Sequence, residues 1–121
     1  MTEKANKKPY DLEARTFVFA RQVRDFLKSL PRTLANREDA RQVIRSSGSV
    51  GANCIEANES LSRKDFRVRI KICRKEAKES AYWLRLLNVG QSKEMNAERD
   101  ALVDESMELM KIFNAIAAKS S

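Results

Sequence analysis

Residues 45–56 read Arg45-Ser46-Ser47-Gly48-Ser49-Val50-Gly51-Ala52-Asn53-Cys54-Ile55-Glu56. Two glycines, three serines and an asparagine would ordinarily mark a loop, and a loop here would cut the chain in half. The surrounding residues argue otherwise. Ala40, Val43, Ser47, Val50 or Gly51, Cys54, Asn58 and Leu61 recur at intervals of three and four, the rhythm of one helical face. That rhythm passes through the glycines without a change of phase. The stretch is therefore the middle of a helix over about 36–61, with Asn36 expected as its cap and Asp39 three residues on.

A phosphate cradle does not fit. A P-loop needs Gly-x4-Gly-Lys-Ser/Thr after a strand; no lysine follows Gly51 and no strand precedes it. From Ser46 to Ile55 no residue is charged, whereas the solvent face of a helix normally carries charge. Small residues allow a second backbone to come close, which offsets the roughly 1 kcal/mol that a helical glycine costs relative to alanine. The helix is thus expected to pack on two sides: against its own bundle, and through Ser46, Ser49, Ala52 and Asn53 against a second subunit.

Three more segments carry the helical rhythm. The first spans about 11–30, with Leu12, Thr16, Phe19, Val23, Phe26 and Leu30, and Pro31 stops it. The third spans about 63–88, with Phe66, Ile70, Cys73, Ala77, Ser80, Leu84 and Leu87, and Asn88 and Gly90 close it. The fourth spans about 96–119, with Leu102, Ser106, Leu109, Phe113 and Ile116. Short connections make neighbouring helices antiparallel. The expected fold is all-α: an up-down-up-down antiparallel four-helix bundle over residues 11–119, behind a loose tail over 1–10. With 121 residues, 42% apolar, and only three glycines and two prolines, the chain fits one helical domain and not a sandwich or barrel. No apolar run approaches a membrane span, and the opening MTEKANKKPY has no signal-peptide core, so a cytoplasmic location is expected.

There is no histidine, which removes the commonest metal ligand and the commonest general base together. Glu56-x-x-Glu59 and Glu76-x-x-Glu79 lack the Glu-x-x-His of di-metal bundles. A hairpin turning near residue 62 would also hold the two pairs roughly 10 Å apart along the axis. Ion pairs suit these carboxylates better: Glu56 with Arg69, and Arg45 with Glu76 or Glu79. Cys54 and Cys73 fall on facing core stripes and are expected to stay reduced. No catalytic residue, metal or cofactor is assigned, and the chain reads as non-enzymatic.

A formal net charge of +7 suits an anionic partner. Arg63, Arg67, Lys71, Arg74, Lys78 and Arg85 fall on one flank of the third helix, with Lys64 and Lys75 just beyond. This ridge is spaced for a run of phosphates. It would equally serve as a solvated helix face, or be neutralised by acids on neighbouring helices. No aromatic residue interleaves that flank, so RNA or DNA would be held by its backbone with little sequence preference. The opposite flank carries Val68, Ile72, Trp83 and Leu86. This second apolar stripe suits an oligomer interface, or packing beneath another helix of the same chain. The fourth helix has a similar surplus in Val103, Met107 and Met110.

The segments IRSSGSVGANCIEANES and KDFRVRIKICRKEAKESAYWLRLL resemble the bacterial four-helix-bundle family of 23S rRNA intervening-sequence proteins. Arg45, Ser49, Val50, Asn53 and Glu56 match its pattern on the second helix. Lys64, Asp65 and Phe66 match the opening of the third, and Glu79, Tyr82, Trp83 and Leu84 a later segment. The similarity runs from Tyr10 to about Ala117; Cys54 and Ala57 depart from the common pattern. Accessory proteins of diversity-generating retroelements are similar in fold. The resemblance implies a homopentameric barrel of four-helix subunits and a nucleic-acid partner. Its retroelement branch implies the alternative of an oligomeric scaffold for a protein such as a reverse transcriptase.

Overall fold

A computed structural model describes residues 9–120. Four helices follow one another: α1 (Pro9–Leu27), α2 (Leu34–Asn58), α3 (Arg63–Leu86) and α4 (Lys93–Lys119). No strand occurs among the described residues. The tail expected over 1–10 lies, for residues 1–8, outside the described residues, and α1 already includes 9 and 10.

The helix starts are written in hydroxyl side chains. Thr33, Ser62 and Ser92 each accept a hydrogen bond from the backbone N–H three residues on, at 3.1, 3.0 and 3.0 Å. Each satisfies one of the donors that a helix N-terminus leaves free. Between α3 and α4 the chain reverses through Gly90 at φ +72°, a conformation open to glycine.

Each helix runs antiparallel to the next, as the cross-helix bonds show. Along α2, Ser46 bonds Ser80, Val50 accepts from Cys73 and Asn53 accepts from Arg69, so α3 is read backwards as α2 is read forwards. Arg74 to Asn114 and Arg67 to Ala117 run the same way between α3 and α4. The α2–α3 seam is the most extensive and the α1–α4 seam the thinnest. Across that thin seam Arg15 holds Glu105 with two bonds of 2.7 and 2.8 Å.

Phe19, Val23, Val43, Val50, Leu84, Leu109 and Phe113 lie at most 1% exposed in one continuous core. Thr16, Ser80 and Ser106 occupy core positions too, and each hydroxyl donates to the carbonyl four residues back, at 2.7, 2.9 and 3.2 Å. A hydroxyl satisfied within its own turn can be buried without loss, which is why the apolar rhythm tolerates these residues.

Helix boundaries and one cap differ from expectation. α1 stops at Leu27, and Leu30 packs on the core from the following turn. Asn36 is not a cap; Thr33 is, and Asn36 sits buried one turn inside α2. Its amide donates to the carbonyls of Pro31 and Asn88, each at 2.9 Å, and its oxygen accepts from the Asn88 N–H at 2.9 Å. One side chain thus ties the α1–α2 turn to the α3–α4 turn.

The helix through the glycines is continuous, and the two glycines differ. A Cβ at Gly51 would stand 3.0 Å from Thr16 Oγ1 and 3.4 Å from Thr16 Cβ, so Gly51 lets α1 lie close on α2. A Cβ at Gly48 would meet only the Arg24 guanidinium at 3.4 Å. Gly48→Ala is therefore expected to stabilise the isolated subunit by up to about 1 kcal/mol through helix propensity. Gly51→Ala should gain nothing, and Gly51→Leu should cost about 1–3 kcal/mol by overpacking. Chemical denaturation of the three variants at a concentration where the chain is monomeric measures this.

Cys54 and Cys73 are both buried and free. The Cys73 thiol donates to the Val50 carbonyl at 3.5 Å. Burial raises Cys54 from 9.0 to about 11, and burial with the nearby Cys54 charge raises Cys73 to about 12. The folded state therefore keeps protons that the unfolded chain releases near pH 9. The stability these thiols contribute is full below that pH and fades as pH rises through the folded values. A thiol reagent at pH 8 should label neither cysteine until denaturant is added; rapid labelling of the native protein would overturn this.

Candidate nucleic-acid interface

α3 and α4 diverge enough at the surface to leave a groove of ≈ 750 Å³. Its apolar lining is Val68, Ile72 and Met110. Its polar lining is Lys71, Arg74, Lys75 and Lys78 from α3, and Lys111 and Asn114 from α4. No carboxylate lines it. Helical spacing explains the density: residues three and four apart share a face, and α3 places a cation at 71, 74, 75 and 78 in succession.

Among the described residues no carboxylate lies within 4.0 Å of any of these five cations; the ion pairs belong to Arg15, Lys28, Arg45 and Arg99. Direct pairing with acids of neighbouring helices, one of the expectations for this ridge, is not seen for the groove cations among the described residues. Arg74 alone is engaged, donating to Asn114 Oδ1 at 3.0 Å.

The structure redistributes the expected ridge. Lys71, Arg74 and Lys78 line the groove. Arg67 turns to α4 and donates to the Ala117 carbonyl at 3.4 Å, near that helix's C-terminus. Arg63 and Arg85, in the first and last turns of α3, are exposed but stand outside the groove. Lys75 and Lys111 join it instead. An exposed aromatic residue follows the groove's last α3 cation, outside the groove lining. Tyr82 lies one turn beyond Lys78 on α3, at the helical angle of Lys64 just outside the expected ridge, and is 55% exposed. Its ring meets Trp83 edge-on, 5.0 Å between centroids and 75° between planes.

The expected interface residues also separate. Ser46 is fully buried and shares a 2.8 Å hydrogen bond with Ser80, so it belongs to the α2–α3 seam and not to any exterior face. The wheel places it near that edge, and only the proximity of α3 decides. Asn53 is half-buried: its amide donates to the Ser49 carbonyl and hydroxyl at 2.9 and 3.0 Å, while its oxygen accepts from Arg69. Arg69 is thus bonded to Asn53, not paired with Glu56. Arg45 pairs with Glu79 at 4.0 Å, not with Glu76, which is buried with Oε1 unbonded. Val68 and Ile72 line the basic groove rather than standing apart from it. Trp83 packs partly on the core, and Leu86 is exposed.

A second, apolar groove of ≈ 550 Å³ runs between α1 and α2, lined by Phe17, Ala20, Gly48, Gly51, Ala52 and Ile55. Phe17 is 60% and Ile55 48% exposed, and Arg21 stacks over the Phe17 ring at 5.7 Å. Sequence reasoning missed Phe17 and Val18. The available signal was the run Phe17-Val18-Phe19: successive helical residues point about 100° apart, so Phe19 enters the core and its neighbours cannot.

The family model for the 23S rRNA-intervening sequence protein matches residues 10–115. The chain belongs to this family. No curated protein matches it. Among solved structures it is similar to a protein of unknown function from the S23 ribosomal protein family of Bacteroides thetaiotaomicron VPI-5482. The two share 28% identity at a TM-score of 0.73, over 91% of this chain and 97% of that one. As a member of the 23S rRNA-intervening sequence family, the chain shares its four-helix fold with a relative over nearly its full length. No helix among the described residues is long and apolar enough to cross a membrane.

Proposed function

We propose that this chain is a non-enzymatic nucleic-acid-binding protein whose α3–α4 groove holds RNA or DNA phosphates with little sequence preference. The observation that carries this is the cluster of Lys71, Arg74, Lys75, Lys78 and Lys111 around one groove, with no carboxylate of the described residues within ion-pairing distance. Uncompensated like charges repel one another, and a polyanion relieves that repulsion while releasing its own counterions. Labelled RNA and DNA titrated at low salt test the reading. Saturable binding that weakens steeply with salt is expected. Absence of binding to either would leave the alternative, a scaffold for a protein partner such as a reverse transcriptase.

The α1–α2 face supports self-association, as the pentamer implied by the resemblance. Gly48 has no packing reason within the subunit, and Phe17 and Ile55 stand exposed in the same groove. Ala52→Arg should disperse the assembly in sedimentation while leaving the subunit helical. A wild-type chain that sediments as a monomer at high micromolar concentration would end this part of the proposal.

A further inference from the structure

We infer that the α3–α4 groove is built for a single strand, with Tyr82 as the platform on which a base stacks. This rests on the nucleic-acid reading above and adds the class of ligand. Three observations carry it. The first is the apolar lining. Val68 is half exposed, and with Ile72 and Met110 it gives the groove an apolar lining beside the cations. A duplex presents phosphates and sugars outward and keeps its base faces stacked inside, so it would leave this lining wet. A single strand can turn a base onto it while its phosphates run along the lysines.

The second observation is size. A volume of ≈ 750 Å³ is that of a small-molecule site and has room for a nucleotide or two. The third is Tyr82. Lys75, Lys78 and Tyr82 follow at spacings of three and four on α3, so the exposed ring continues the line of cations. From Lys71 to Tyr82 is about 16 Å at the helical rise, a length along which a strand can meet several cations and then the ring. Its edge-on contact with Trp83 fixes the ring's orientation, which lowers the entropy lost when a base stacks. A basic track ending at an aromatic platform is the arrangement that binds single strands without reading sequence.

Fluorescence anisotropy at low salt decides it, using labelled oligo(dT) and oligo(rU) of about 20 nucleotides, long enough for one site, and a duplex of equal length. Single strands should bind at least about tenfold more tightly than the duplex. Tyr82→Ala should weaken single-strand binding by about fivefold to a hundredfold, the range for losing one base–aromatic stack. Tyr82→Phe should restore it, and neither variant should alter duplex binding. Lys75→Glu should weaken both. Equal affinity for duplex and single strand, or a Tyr82→Ala variant within twofold of wild type, would overturn this inference while a Lys75→Glu effect kept the backbone-binding reading alive. No binding by any probe would overturn both.

Discussion

Asn36→Ala is expected to lower the stability of the subunit by about 2–4 kcal/mol. Three hydrogen bonds vanish together, and the Pro31 and Asn88 carbonyls and the Asn88 N–H lose the side chain that satisfies them. The loss exceeds that of an ordinary surface hydrogen bond because Asn36 is itself 2% exposed, so water cannot simply replace the amide. Asn36→Asp discriminates the mechanism. It keeps the acceptor for the Asn88 N–H but sets a carboxylate against two carbonyl oxygens, so at neutral pH it should be at least as damaging as alanine. Acidification, which gives the carboxyl a proton to donate, should return part of the loss. Urea denaturation of the three proteins at pH 7 and pH 4 measures this. An alanine variant within about 0.5 kcal/mol of wild type would mean that the two turns hold without the amide.

The second large effect lies in the basic groove. Five phosphate contacts on a single strand give a log–log salt slope of roughly −3.5, so raising salt fourfold should weaken binding about a hundredfold. Lys75→Glu with Lys78→Glu should remove two contacts, flatten the slope to about −2 and carry binding out of the micromolar range. These two are the informative pair because neither has a hydrogen-bond or ion-pair partner among the described residues. Reversing Arg67 or Arg74 would also cut contacts to Ala117 and Asn114 on α4, mixing a binding effect with a packing one. A double variant that binds with wild-type affinity and slope would show that the phosphates lie elsewhere.

Much of the fold was legible because its signals are local. The three-and-four rhythm of each helix needs only neighbours within the helix, and it carried α2 correctly through Gly48 and Gly51. Turn residues such as Pro31 and Gly90 are local signals too. What failed depends on distant residues. Asn36 looks like a cap in the sequence, yet its partner is Asn88 in another turn. Ser46 looks like part of an uncharged exterior until Ser80 lies against it. The candidate site divides the same way. The cations of α3 were readable from one helix, whereas Lys111 enters only because α4 forms the other wall. Tyr82 enters the sequence reading only beside Trp83, as a match to the family pattern. Only solvent exposure separates the two, with one ring largely open and the other packed partly on the core.

The thin α1–α4 seam gives α1 a distinct fate. α1 lies broadly on α2 and meets α4 narrowly, across a partly exposed Arg15–Glu105 pair worth under about 1 kcal/mol. It is therefore the helix that can lift away while α2, α3 and α4 stay packed, and its amide hydrogens should exchange with solvent before theirs. Its outer residue Phe17 belongs to the face proposed to meet a second copy. Assembly would hold α1 down, and mass action would slow its exchange as protein concentration rises. The deuterium uptake of α1, followed against concentration, thus becomes a gauge of assembly that needs no mutation, and the Ala52→Arg protein should show the fast rate at every concentration.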